Sequence, residues 1–112
     1  MFDLDGTLYV EDQLIPGAIE ILEYFSKSQI PFCMMTNNSS LSRKDYQKKL
    51  EALKLPVKPD QILTSGVATL RYLKNLNIKN IFLMGTASLE DEFEQAGFLL
   101  SRSGKDVEAV VL

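Results

Sequence analysis

Histidine is missing from all 112 residues. Its absence excludes the Ser-His-Asp triad, the Cys-His pair and the histidine zinc site from the chain's own repertoire. Hydrolytic chemistry here would have to rest on carboxylates and a hard, oxygen-preferring cation. Cysteine occurs once, at Cys33, so no intrachain disulfide is possible and a reducing cytoplasm is the expected compartment. Sitting in an apolar run with no base or metal partner in view, Cys33 reads as a small core residue. No apolar stretch approaches the roughly 18 residues of a membrane span, and the N-terminus carries acids where an export signal would carry bases. Basic residues are not in excess: 12 Lys and Arg face 15 Asp and Glu, a net charge of −3. That argues against nucleic acid or an anionic membrane as the main partner. No G-x-G-x-x-G is present, which removes the usual dinucleotide fingerprint. Gly97 and Gly104 are too far apart for a phosphate-binding P-loop, and Asp106 follows Lys105 where Ser or Thr is required.

With 46% apolar and 24% charged residues, the chain is expected to form one soluble globular domain with a real core. Its most chemically loaded stretch is Asp3-Leu4-Asp5-Gly6-Thr7-Leu8, just after the apolar Met1-Phe2. Side chains two apart on a strand share a face, so Asp3 and Asp5 are predicted to converge, and Gly6 lets the chain turn sharply behind them. Two carboxylates so close resist double ionisation unless a cation lies between them or one keeps its proton. The pair therefore suggests a division of labour, one carboxylate ionised on a metal and the other handling protons. A turn or a calcium loop is the bland alternative. The calcium version needs alternating oxygen ligands, and Thr7-Leu8-Tyr9-Val10 is too apolar to supply them.

The rest of the chain alternates between helical and extended patterns. Glu11 to Leu14 reads as a polar connector. Pro16 suits a first helical turn, with Ile19, Leu22 and Phe25 inward. Phe32 to Met35 reads as a strand covered on both faces. Ser42 and Asp45 have capping-box spacing, with Leu41 and Tyr46 placed as a hydrophobic staple, while Lys48, Lys49 and Glu51 face water. Gln61 to Thr64 forms a short strand, and Ser65 caps a third helix with Val67, Leu70 and Leu73 inward. Ile81 to Met84 is another buried strand. Ser88 and Asp91 form a second capping box, Gly97 stops that helix, and Phe98 to Leu100 and Ala109 to Leu112 are further strands. Strands alternating with helices predict an α/β fold, Rossmann-like and doubly wound, around a mostly parallel sheet.

In such sheets ligands bind beyond the C-terminal ends of the strands. Asp3 to Gly6 lies at one such end and Thr36-Asn37-Asn38-Ser39-Ser40 at another. Alone, the second stretch also fits a turn bonded to its own backbone. Together they set carboxylates opposite hydroxyl, amide and N–H donors, for which phosphate is the natural ligand.

Asp3-Leu4-Asp5-Gly6-Thr7-Leu8 resembles the first signature of the haloacid dehalogenase-like superfamily, and Met34-Met35-Thr36-Asn37-Asn38 resembles its second. Pro16-Gly17-Ala18, Thr64-Ser65-Gly66 and Met84-Gly85-Thr86 narrow the likeness to the phosphatase branch with a type II cap. That branch includes 4-nitrophenyl phosphatase-like, phosphoglycolate phosphatase and pyridoxal phosphate phosphatase enzymes. The resemblance implies a Mg²⁺-dependent phosphatase of small phosphorylated metabolites acting through an aspartyl-phosphate. In it Asp3 is the nucleophile, Asp5 the acid and base, and Mg²⁺ lies on the Asp3 carboxylate and the Asp5 backbone carbonyl. Thr36 and Asn37 hold phosphate oxygens, and Gly6 and Thr7 support the loop. The family's third signature, a lysine, and its fourth, an acidic pair, have no counterpart here. Residues 1–112 are accordingly expected to be the N-terminal part of the core, without the cap or the C-terminal core half, and inactive alone. A non-catalytic phosphate-binding or regulatory module is the alternative. A phospho-accepting receiver fits poorly, because no strand end after the first carries an aspartate. Homo-oligomerisation of a full-length protein stays open.

Overall fold

The computed structural model describes residues 1–112. In chain order its elements are β1 (Phe2–Asp3), β2 (Tyr9–Val10), β3 (Gln13–Leu14), α1 (Ala18–Lys27), β4 (Met34–Thr36) and α2 (Arg43–Ala52). A 3₁₀ turn (Pro59–Gln61) leads to β5 (Ile62–Thr64), α3 (Ser65–Asn75), β6 (Asn80–Leu83), α4 (Ala87–Gln95), β7 (Leu99–Leu100) and β8 (Ala109–Val111). The α/β alternation and the parallel pairing are as the sequence predicts. Apart from a small β2–β3 pair, the strands divide, however, between two sheets. One has the order β1-β4-β5 and the other β7-β6-β8, all parallel.

Helix α3 is the reason for the division. It starts at the end of β5, but its apolar stripe turns Leu70 and Leu73 towards the core formed by Ile81 of β6, Phe93 of α4 and Phe98 just before β7. The first core gathers Leu4, Leu22, Met34, Tyr46, Leu50 and Ile62 and shares no buried residue with the second. The result is elongated, with principal extents of 50 × 27 × 18 Å.

Several local details depart from the sequence reading. The connector after the first motif is a β2–β3 hairpin, turned at Glu11 with φ of 54°. Met34 is fully buried but Met35 stays 36% exposed, so β4 is covered well on only one face. Helix α2 has the predicted capping box, Ser42 and Asp45 each bonding the other's backbone N–H. The other two caps shift towards the N-terminus. Thr64, not Ser65, accepts the Val67 N–H (3.1 Å), because β5 runs directly into the helix and its last residue keeps the extended backbone an N-cap needs. Thr86, not Ser88, caps α4.

Ser88 is then free to reach the first sheet's unit. Its Oγ donates to Ser42 Oγ (2.8 Å) and to Asp45 Oδ2. The Arg43 N–H donates to Glu92 Oε1 (3.0 Å), and Thr86 Oγ1 donates to the Ser40 carbonyl (3.1 Å). A seam of hydrogen bonds thus joins the start of α2 to the start of α4. Gly66 of α3 allows α4 to approach α3 closely, since a Cβ there would lie 3.1 Å from Glu92 Oε2 and 3.3 Å from Leu89 Cδ2.

Candidate functional site

Parallel pairing of β1 with β4, Asp3 opposite Met35, sets the two motif-bearing strand tips side by side. Past β1 the chain turns at Gly6, whose φ of 84° favours glycine. The turn is closed by Gly6 N–H to the Tyr9 carbonyl (2.9 Å) and by the Thr7 and Leu8 N–H groups to the Leu4 carbonyl. Leu4 between the aspartates is fully buried, and both Asp3 and Asp5 are exposed.

Their surroundings differ sharply. Asp5 Oδ1 accepts from the Tyr9 hydroxyl (2.9 Å), and Oδ2 accepts from Thr36 Oγ1 (3.0 Å) and the Tyr46 hydroxyl (3.0 Å). Burial raises the Asp5 pKa, but the hydroxyls of Tyr9, Tyr46 and Thr36 and the charge of Lys49 together hold it below the usual carboxylate range. Burial and the bonds to Asp5 push the Tyr9 phenol far up and the Tyr46 phenol up, so both remain donors. Lys49 Nζ stands 4.3 Å from the centre of the Tyr9 ring, a cation–π contact that keeps positive charge near the carboxylate. None of these donors goes to Asp3, which leaves its carboxylate open at the strand tip.

At the second tip Thr36 is buried and gives its hydroxyl proton to Asp5, while its oxygen accepts the Asn38 N–H (3.1 Å). Asn38 Oδ1 in turn accepts from the Ser40 N–H and hydroxyl. The local turn expected of this stretch is therefore formed by Asn38. Asn37 is exposed and its N–H meets no protein acceptor, which makes it the open donor of the loop. Thr7 is exposed and closes the turn through its N–H; its hydroxyl bonds nothing.

Sequence reasoning missed Tyr9, and it read Tyr46 as a staple and Lys49 as a solvated charge. Tyr46 is both staple and donor: its ring lies in the core while its hydroxyl reaches Asp5. Helical spacing from Tyr46 to Lys49 places both on the face towards the site, and that was the available signal. For a metal, no cluster of three or more His, Cys, Asp or Glu exists. The donors at hand are the Asp3 carboxylate and the Asp5 carbonyl, which accepts no backbone hydrogen bond. The Asp5 carboxylate is turned to hydroxyls instead. An all-oxygen set with few protein ligands fits Mg²⁺, which keeps several waters and takes one or two carboxylates.

The family model for haloacid dehalogenase-like hydrolases matches residues 1–99. The chain belongs to the haloacid dehalogenase-like hydrolases. Among curated members of the family it is 29% identical to an acid sugar phosphatase of Staphylococcus haemolyticus, covering 100% of this chain and 43% of that protein. It is 37% identical to the chloroplastic phosphoglycolate phosphatase 1A of Arabidopsis thaliana, covering 88% and 28%. Among solved haloacid dehalogenase-like structures, 4-nitrophenylphosphatase from Thermotoga maritima superimposes with a TM-score of 0.88 at 37% identity, covering 97% of this chain and 41% of that one. NagD from E. coli gives 0.84 at 26% identity, covering 96% and 42%. The chain thus spans less than half the length of these relatives.

Proposed function

We propose that the chain carries the first half of a Mg²⁺-dependent phosphatase site for small phosphorylated metabolites. The observation that carries this reading is the Thr36–Asp5 hydrogen bond (3.0 Å) between the two motif stretches, with Asp3 left open beside it. In this reading the Asp3 carboxylate attacks phosphorus and the alcohol departs, forming an aspartyl-phosphate that water then cleaves. Covalent capture divides one hard displacement into two easier ones. Asp5, held ionised by three hydroxyls, is suited to take the proton of the attacking water. A phosphate dianion brought alongside pushes its pKa back up, which favours its carrying a proton to the leaving oxygen in the first step. The Asn37 N–H offers a donor to a phosphate oxygen. Thr36 offers another when its hydroxyl turns from Asp5. Mg²⁺, on the Asp3 carboxylate and the Asp5 carbonyl, would supply charge neutralisation for the transferring group. A reducing cytoplasm suits the lone thiol of Cys33.

The second reading is a module that binds phosphate without hydrolysing it, for which the open Asn37 N–H beside Thr36 is the favouring observation. Two experiments separate the readings. In a protein of the relatives' length that carries this chain, Asp3→Asn is expected to abolish turnover and phosphoenzyme formation. Turnover that survives the change removes Asp3 from the nucleophile's role. For the 112-residue chain, binding of Mg²⁺ and orthophosphate without release of phosphate from an ester identifies the module.

A further inference from the structure

Asp5 carries two groups that a cation can use. Its carbonyl accepts no backbone hydrogen bond, and its carboxylate follows that of Asp3 by two positions at an exposed strand tip. Left loose, such a carboxylate would turn onto a divalent cation at Asp3, since two anions that close are stabilised by sharing one. In the structure it is turned the other way, with both oxygens on hydroxyls.

The two oxygens are not held alike. Oδ2 accepts from two donors, Thr36 Oγ1 and the Tyr46 hydroxyl. Oδ1 has one, the Tyr9 hydroxyl. Loss of the Tyr46 hydroxyl leaves Oδ2 a partner, whereas loss of the Tyr9 hydroxyl leaves Oδ1 none. Tyr9 is also fixed along its whole length. It is 1% exposed and belongs to the first core. Its carbonyl takes the Gly6 N–H, its strand pairs with Leu14, and Lys49 covers its ring. A side chain locked by packing in this way offers its hydroxyl at one position and restrains whatever it bonds. The number of carboxylates, in turn, decides which cation a small oxygen site prefers. Mg²⁺ keeps several waters and needs few protein ligands, while Ca²⁺ gathers about six to eight oxygens and gains from each that the protein supplies.

We propose that Tyr9 is a positioning residue that holds the Asp5 carboxylate off the metal, limiting the site to the Asp3 carboxylate and the Asp5 carbonyl and so favouring Mg²⁺ over Ca²⁺. The proposal rests on the Mg²⁺ reading above. The same hold keeps the carboxylate free to exchange protons, because a carboxylate bound to a cation is locked in its ionised form.

The test is a titration of the ¹⁵N-labelled 112-residue chain with Mg²⁺ and, separately, with Ca²⁺, followed at the amides of Leu4, Asp5 and Gly6. Tyr9→Phe keeps the buried ring and its face under Lys49 and deletes only the hydroxyl. It is expected to tighten Ca²⁺ about tenfold relative to Mg²⁺, the scale of one added carboxylate contact in a solvated site. Tyr46→Phe should move that ratio much less, because Thr36 still holds Oδ2. Adding Asp5→Asn to Tyr9→Phe should cancel the gain. A general loosening of the loop would weaken both cations together and leave the ratio where it was. An unchanged ratio in Tyr9→Phe, or a gain that survives Asp5→Asn, would overturn the role of Tyr9 alone. If neither cation shifts these amides in the unaltered chain, the metal reading falls, and the role of Tyr9 with it.

Discussion

Three hydroxyl donors and a nearby lysine make Asp5 the most constrained side chain of the site, while Asp3 two positions earlier is held by nothing. Removing one donor tests how far that constraint reaches. Tyr46→Phe keeps the ring in the core and deletes the 3.0 Å bond. It is expected to move the Asp5 pKa up towards the ordinary carboxylate value, read from its side-chain ¹³C shift, and to cost about 1–2 kcal/mol in urea unfolding. An unmoved Asp5 titration would show that Tyr46 has no hold on the carboxylate. At this scale the sequence disclosed a good deal. The i, i+2 spacing of Asp3 and Asp5 and the need for glycine at position 6 follow from backbone geometry alone. Tyr9 and Tyr46 stayed hidden, because a tyrosine's apolar body satisfies a core pattern whatever its hydroxyl touches.

Among the elements, α2 has two duties within its first turn. Tyr46 reaches Asp5, while the adjacent Asp45 holds Ser42 and Ser88 across the seam. Hydrogen bonds from Ser88 first and Ser42 second depress the Asp45 pKa. A depressed folded value means that this contribution is present above the unfolded carboxylate pKa, near 3.9, and disappears as pH falls through the folded one. Acid below about pH 4 should therefore loosen the seam. Asp45→Asn should reduce that acid sensitivity and cost about 1 kcal/mol near neutrality through the lost cap, measured as urea midpoints against pH. A variant with the same acid limb as the parent would exclude Asp45 as its source. Capping-box spacing held at Ser42 and Asp45, although Ser39 and Ser40 stand just upstream. Near Ser65 and Ser88 a threonine lay just upstream and took the cap, a competition that spacing rules do not resolve. Ser88 was thereby released for a contact forty-odd positions away in sequence, beyond the reach of local pattern.

Across the whole molecule, the alternation of strand and helix was legible, but the assignment of strands to sheets was not. Apolar runs at Met34 and Ile81 look alike in sequence, and nothing in either names its neighbour. That choice was made by the direction in which α3 points Leu70 and Leu73. Two cores without shared residues predict two separable units of stability. Ile81→Ala, at a fully buried position of the second core, should cost that unit about 2–5 kcal/mol. Amide exchange in β6 and β8 should accelerate while β4 is unaffected. Equal acceleration in β4 would mean a single cooperative block. The seam between the units has a further consequence. Its contacts pair hydroxyls, carboxylates and backbone groups with one another, and the molecule's ion pair, Lys27–Glu23, lies far off on the exposed face of α1. The groove beside the seam sets Arg43, Lys44 and Lys74 among Asp60, Asp91 and Glu92, so added salt screens the attraction between the halves while the hydrogen-bonded contacts themselves persist.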